Sequence, residues 1–205
     1  MSAPRLVPLK PESLDAEQRA LYDAVLASPR GQGPLRPMIV RDDGSLCGPF
    51  DAALRNPAVG SLLEKLGMAL RTDMEISGAA REMTILVVGR AWGAAFEWWA
   101  HTMIAKREGV TEEEIDAVGH GRRPDFADPA VAAAHDVTLA LVHRREVDEA
   151  TLERAREALG ERGLVEVVTL AGFYQMISGI LNAFEPPPPD GDFEVVGPPT
   201  KGARP

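Results

Sequence analysis

The chain has 205 residues, of which 45% are hydrophobic, and it carries a formal net charge of −9 at pH 7. This length suits one domain with extensions, and the apolar fraction is ordinary for a soluble protein. The acidic balance argues against a nucleic-acid partner, and we find no uncharged apolar run that would span a membrane. With a single cysteine, Cys47, and no hydrophobic leader after Met1, we expect a cytoplasmic protein without a disulfide.

Helix signals dominate from the N-terminus onward, and no convincing alternating strand pattern is present, so we predict an all-α fold. Ser13 is suited to cap a first helix over about residues 14–27. Residues 29–49 are rich in Gly, Pro and Asp and predict a long irregular connection, of a kind that usually lines a site or an interface. The pair Asn56-Pro57 predicts the start of the next helix.

The centre of the chain is predicted to form two consecutive helices with a break at Gly93. The first begins after Ser77, which is suited to an N-cap, and the second carries Glu97 and His101 before it ends at Gly109. Further helices are predicted to begin after Thr111 (in a capping box with Glu114), Asp128 and Asp148. The helix after Asp148 is predicted to end at Gly160, and the last helix runs from Leu164 to Phe184.

These boundaries divide the chain into three predicted segments. Residues 1–48 hold the first helix and the irregular connection, and residues 49–185 form a helical domain. The Pro-rich residues 186–205 contain too little apolar surface to build a core and are predicted to form a tail.

Two carboxylates and an imidazole stand out in the apolar central helices. Glu97 and His101 are four residues apart and share one helix face. On an unbroken helix Glu82 would lie roughly 22 Å from Glu97, so the three groups can cooperate only if the chain reverses near Gly93. Acidic groups in an apolar run are costly to bury unless they are paired, so this set is a candidate reactive site.

His101 could act as a general acid or base, because the ordinary pKa of histidine lies near neutrality. Glu97 would orient its ring, and Glu82 would be a second proton carrier. The alternative is a surface Glu97–His101 pair that contributes about 0.5 kcal/mol and has no further role. The neighbouring Trp98 and Trp99 indicate partial burial and favour a site.

Other chemistry has weaker support. One imidazole and two carboxylates could also hold a metal ion, but their spacing differs from zinc and di-iron motifs, so we predict no metal. No phosphate-binding loop or dinucleotide fingerprint is present, and no cofactor is expected. Cys47 is interpreted as an ordinary small side chain, and His120, His135 and His143 as surface or helix-end residues.

Several motifs together carry a resemblance to a known family. They are Arg81-Glu82, Phe96-Glu97-Trp98, His101, Gly109, Thr111 to Ile115, Leu164 to Glu166, Gly172 to Tyr174 and Leu181-Asn182. This set resembles the carboxymuconolactone decarboxylase and AhpD-like superfamily over roughly residues 49–184. The resemblance implies an all-helical domain that assembles into homo-oligomers, trimers or hexamers, with pockets near subunit interfaces.

The peroxidase branch of that superfamily has two cysteines between its glutamate and its histidine. Glu82 and His101 match that pattern, but Ala94 and Glu97 stand at the cysteine positions. Reduction of a hydroperoxide requires one thiolate to attack and a second to resolve the product. Alkylhydroperoxidase activity is therefore disfavoured, and it stays an alternative only if Cys47 acts across subunits.

The decarboxylase branch is the nearer chemical model. The resemblance implies loss of carbon dioxide from a small anionic lactone acid, with His101 as the proton donor, Glu97 orienting it and Glu82 as a second acid–base group. A third alternative is a non-catalytic helical oligomer that binds a small ligand. The predicted substrate-binding residues are Arg81, Arg90, Trp98 and Tyr174, with Arg71 as a further candidate for the substrate carboxylate.

Overall fold

A computed structural model describes residues 5–186, and within that range the fold is all-α, as predicted. Its only β pairing there is an isolated antiparallel bridge between Val40 and Leu46. The helices are α1 Ala16–Ala27, α2 Pro29–Gln32, α3 Gly48–Ala53, α4 Pro57–Thr72, α5 Gly78–Trp92, α6 Ala95–Arg107, α7 Glu112–Gly119, α8 Pro129–Arg144 and α9 Glu149–Phe184, with 3-10 turns at Pro11–Ser13 and Arg36–Met38.

The described residues form two compact units. The first comprises residues 5–69 and 180–186, and the second comprises residues 70–179. The predicted Pro-rich tail lies outside the described residues apart from Pro186. The core of the first unit consists of Leu21, Tyr22, Val25, Ile39, Leu46 and Leu54.

The first helix is present, but its predicted cap is wrong. The Asp15 side chain accepts a hydrogen bond from the backbone N–H of Gln18, and the Gln18 side chain accepts one from the Asp15 N–H. Ser13 lies in the preceding 3-10 turn, where its hydroxyl donates to the carbonyl of Lys10. Asp15 is the cap because only Asp15 has a glutamine three residues later to complete a capping box.

The segment 29–49 is more regular than predicted. It contains α2, a 3-10 turn and the beginning of α3, and each of these has a proline in its first turn. Proline suits that position because the first N–H groups of a helix have no intrahelical acceptor. Cys47, immediately before α3, is completely buried.

The later helix boundaries follow their capping signals. The Ser77 side chain accepts from the N–H of Ala80 at the start of α5. Thr111 and Glu114 form the predicted capping box of α7. Asp128 and Asp148 accept backbone N–H groups at the starts of α8 and α9. These caps satisfy donors that would otherwise lack partners.

Helix α5 is the centre of the second unit. Every residue from 82 to 89 is buried, and α5 packs against α6, α7 and α8. A helix that is apolar on all sides must be enclosed by other elements. The one acidic residue in this buried stretch, Glu82, therefore lies in the interior of the unit.

Helix α9 has a break where the sequence predicts one. Gly160 adopts φ 69° and ψ 173°, which separates the two helices predicted on either side of it. By length and composition alone, α9 could cross a membrane, and 33% of its most apolar window is buried. Leu164, Val167 and Leu170 belong to the core of the second unit, whereas Val165, Val168 and Met176 are exposed.

The reversal between α5 and α6 takes place at Gly93. This residue caps α5 in the left-handed region at φ 61° and ψ 32°, and the N–H of Ala94 donates to the carbonyl of Gly89 at 2.9 Å. Residues with a Cβ avoid this region, whereas glycine enters it freely. The predicted break is therefore present, and it returns α6 against α5.

We predict that Gly93→Ala destabilises the protein by about 1 kcal/mol, because a Cβ is strained in the left-handed region. Gly172→Ala is the matched control: Gly172 is exposed within α9, and an added Cβ meets no atom within 4 Å. That control should stabilise by about 0.5 kcal/mol. Urea unfolding followed by circular dichroism measures both, and equal effects at the two glycines would contradict the prediction.

Candidate active site

The turn at Gly93 brings three titratable side chains together. His101 on α6 places Nδ1 2.6 Å from Oε2 of Glu82 on α5, and its Nε2 lies 3.2 Å from Oε2 of Glu97. Glu82 is completely buried, Glu97 is 4% exposed and His101 is 6% exposed. One imidazole thus bridges two buried carboxylates, and we term these three residues the buried cluster.

Two arginines approach the other oxygen of Glu82. Arg81 Nε donates to Oε1 of Glu82 at 3.1 Å, and Arg71 Nη1 lies 3.9 Å from the same oxygen. The terminal nitrogen Nη2 of Arg81 pairs with Glu108 and lies 3.2 Å from its Oε1. The group therefore contains three carboxylates and two guanidinium groups, and a protonated imidazole makes it electrically neutral.

The surroundings hold His101 and Glu82 in their charged forms. Burial lowers the pKa of His101, but the charge and hydrogen bond of Glu82, together with Glu97, outweigh it and raise that pKa above 6.5. Burial raises the pKa of Glu82, but the imidazolium and the two arginines outweigh it and lower that pKa below 4.5. Both shifts favour the pair of an imidazolium and a carboxylate over the neutral pair.

The aromatic residues predicted to bind substrate lie in different surroundings. The rings of Tyr174 and His101 pack edge to face, with their centroids 5.1 Å apart and their planes at 87°. Phe173 packs on Tyr174 in a similar way at 5.4 Å. Trp98 is 2% exposed and belongs to the hydrophobic core. Tyr174 thus lies beside the imidazole, and Trp98 is a core residue.

Arg90, a predicted substrate ligand, is not brought to the buried cluster. Its Nε donates to the carbonyl of Gly119 at 3.0 Å. Its side chain lines a separate cleft, which we term the basic cleft, with Arg122, Arg123 and His135, and no member of the buried cluster lines it. Eight residues correspond to about 12 Å along the helix axis, so Arg90 lies too far along α5 to pair with Glu82, whereas the side chain of the neighbouring Arg81 is long enough to reach it.

Glu108 is a member of the charge network that the sequence reasoning missed. It caps the C-terminus of α6, eleven residues after Glu97 and seven after His101. At about 100° per residue these three positions fall within roughly 40° of one another on a helix. The helical spacing was therefore a signal that could have identified Glu108.

One histidine assignment is corrected by the structure. His135, expected at the surface or at a helix end, is 2% exposed within α8, and its Nδ1 lies 2.8 Å from Oδ1 of Asp136. It is buried because α8 packs directly on α5. His120 and His143 are exposed near the C-terminal ends of their helices, as predicted.

The geometry of the buried cluster favours proton transfer over metal binding. Both ring nitrogens of His101 lie within hydrogen-bond distance of carboxylate oxygens, so no imidazole lone pair is directed at a shared cation. In the part of the chain that the structure describes, no group of three or more His, Cys, Asp or Glu residues has metal-binding geometry. The arrangement can hold, orient and exchange a proton.

Comparisons with known proteins agree with this picture of the fold. Residues 57–140 match the model of the carboxymuconolactone decarboxylase family. A crystal structure of a cysteine-to-alanine variant of the debrominase Bmp8, in complex with 2,3,4-tribromopyrrole, is similar with a TM-score of 0.66 and 14% sequence identity. That similarity covers 88% of this chain and 89% of the debrominase chain. No curated protein sequence matches at a significant level.

We predict that Glu82→Gln lowers the free energy of unfolding by about 3–5 kcal/mol, because it leaves a buried imidazolium and two guanidinium groups without their common partner. Glu108→Gln is the matched control, since Glu108 contacts the same Arg81 but its side chain is 39% exposed. This control substitution should lower the free energy of unfolding by less than about 1 kcal/mol. Similar losses in chemical denaturation would show that Glu82 is not the central charge.

The stability of the cluster should depend on pH in a defined direction. The pKa of His101 is higher in the folded protein than in the unfolded chain. His101 therefore contributes its full stabilisation below pH 6.5 and loses it as the pH rises through the pKa of the folded state. The lowered pKa of Glu82 means that its contribution is complete above pH 4.5 and is lost on acidification. The difference in unfolding free energy between wild type and His101→Gln should therefore be largest between these values and should shrink at alkaline pH. A difference that stays constant from pH 5.5 to about 9 would contradict the assignment.

Proposed function

This chain belongs to the carboxymuconolactone decarboxylase-like superfamily, and from that premise we propose that it is an enzyme that transfers a proton on a small anionic lactone or related organic acid, with or without loss of carbon dioxide. The observation that carries the proposal is the imidazole of His101 between two buried carboxylates. An acid held in this way is oriented, charged and largely shielded from water.

In the proposed reaction His101 is the proton donor. When a carboxylate leaves as carbon dioxide, the electron pair of the broken carbon–carbon bond enters the conjugated lactone carbonyl. The carbon then takes the proton from Nε2 of His101, and Glu97, the partner of that nitrogen, returns a proton from solvent. Glu82 stays ionised throughout and stabilises the imidazolium, which keeps His101 charged before each cycle.

Arg71 is better placed than Arg81 to bind the substrate anion in this proposal. The guanidinium group of Arg81 already pairs with Glu82 and Glu108, and 11% of the Arg81 side chain is exposed. Among the described residues, the Arg71 side chain makes only a longer contact of 3.9 Å with Glu82, and 21% of that side chain is exposed. A carboxylate could therefore pair with Arg71 without breaking a short ion pair. The ring of Tyr174 would form one wall beside His101.

The alternative enzymatic functions have less support. A thiol peroxidase would need Cys47, whose side chain is completely buried. The debrominase shares the fold at 14% identity, so its brominated pyrrole enters the proposal only as a compound to test. Assembly into trimers or hexamers in the cytoplasm is part of the proposal, and the exposed apolar residues Val165, Val168 and Met176 on α9 support it.

We expect turnover on a panel of lactone acids to depend on His101. His101→Gln should lower kcat by about 10²–10⁴-fold, because a positioned general acid typically contributes that much. Release of carbon dioxide and incorporation of solvent deuterium, both followed by NMR, measure decarboxylation and proton transfer separately. His120→Gln is the matched control, since His120 is an exposed histidine at the end of α7.

The panel also separates the alternatives. Equal rates in wild type and His101→Gln would remove His101 from the mechanism. Consumption of hydroperoxide that is lost in Cys47→Ser would instead support the peroxidase. Tight binding of an acid, or of 2,3,4-tribromopyrrole, without turnover or deuterium exchange would favour the non-catalytic, ligand-binding oligomer.

A further inference from the structure

The basic cleft is the second chemically distinctive feature of the second unit. Its volume is about 240 Å³, and it lies against α5, the turn after α7 and α8. This volume is below the range of drug-sized pockets, so it suits a small molecule. Its walls combine the cationic side chains of Arg90, Arg122 and Arg123 with the apolar side chains of Val118 and Leu139.

Arg90 is the cation that is available to a ligand. Arg123 makes a bidentate pair with Asp136 at 2.8 and 2.9 Å, and Arg122 pairs with Asp116 at 2.8 Å. Among the described residues, no carboxylate lies within ion-pair distance of Arg90, and its one hydrogen bond, from Nε to the Gly119 carbonyl, fixes the direction of the side chain. The two terminal guanidinium nitrogens remain available for a carboxylate.

Access to those nitrogens depends on a glycine. Gly121 adopts φ 69°, and a Cβ built there would lie 3.2 Å from Nη2 of Arg90. Any side chain at this position would crowd the guanidinium group that a ligand has to reach. The neighbouring Arg122 is exposed, and its pair with Asp116 is weakened by solvent, so Arg122 can turn towards a bound anion.

His135 supplies a neutral hydrogen-bond acceptor beside the cationic arginines. Its Nδ1 proton is donated to Asp136, and within the described range Nε2 has no hydrogen-bond partner. Burial lowers the pKa of His135, so the ring is neutral at pH 7 and Nε2 accepts a hydrogen bond. A neutral acceptor would repel a second carboxylate and would pair with a hydroxyl group.

We propose that the basic cleft binds a small hydroxycarboxylic acid, with its carboxylate on Arg90, its hydroxyl group on His135 and its apolar body against Val118 and Leu139. This site is separate from the buried cluster, because neither Glu82, Glu97 nor His101 lines the cleft. It does not depend on catalysis by the cluster. The ligand would contact the side of α5 that carries Arg90, on the same helix as Glu82.

Calorimetric titration with benzoate, the three hydroxybenzoate isomers and inorganic phosphate tests this proposal on the full chain. We expect at least one hydroxybenzoate to bind with a Kd of about 1 mM or lower, and more tightly than benzoate or phosphate. Arg90→Gln should weaken that binding about tenfold or more. Leu139→Glu, at a 37% exposed position, should also weaken it by placing a negative charge at the cleft.

Arg156→Gln is the matched control, since Arg156 is exposed on α9 and its loss changes the net charge equally. The proposal is overturned if no hydroxybenzoate binds wild type saturably at about 10 mM. It is also overturned if Arg90→Gln and Leu139→Glu both bind as wild type does. Loss of binding in His101→Gln, with Arg90→Gln unaffected, would place the acid at the buried cluster instead.

Discussion

The charge of Glu82 is the constraint on which the second unit depends. A carboxylate with no exposed surface lies in the most buried stretch of α5, and an isolated ion there would cost several kcal/mol. The imidazole of His101 at 2.6 Å and the arginines at its other oxygen offset that cost. Because His101 is on α6, the ion pair requires α6 to fold back at Gly93. The turn, the helix packing and the charge network are therefore one arrangement.

Such a network is a poor way to gain stability and a good way to hold reactive groups. Apolar residues of similar volume often replace a buried ion pair without loss of stability. The pair is therefore better explained by the acid–base chemistry that it allows. His101 has a raised pKa and Glu82 a lowered one, and two groups whose pKa values are moved apart are typical of acid–base sites. This contrast, together with the position of His101 between two carboxylates, supports the proposed proton transfer.

Helix α5 also connects two surroundings of opposite character. Its face towards α6 carries Glu82, which needs cations, whereas Arg90, further along the helix, lines the basic cleft. The separation follows from helical geometry, because residues eight apart lie about 12 Å from each other along the helix axis. Arg90 is therefore available to a different ligand, and Arg71 from α4 takes its place near Glu82.

Local signals in the sequence determined much of the fold. The capping residues, the helical class and the break at Gly93 could be predicted because they rest on interactions between residues close in the chain. The Glu97–His101 pair could be predicted for the same reason. The cap at Asp15 instead of Ser13 was missed, since two good capping residues compete and only the capping box decides between them.

What the sequence by itself determined about this protein is its helices, its family resemblance and the residue types able to move a proton. Only the tertiary structure decided that Glu82 and His101 form an ion pair, that Arg71 and not Arg90 approaches it, and that His135 is buried. The physical reason is that caps and turns depend on neighbours in the chain. Burial and charge pairing depend on which helix faces pack together, and that is settled only when α5, α6 and α8 enclose one core.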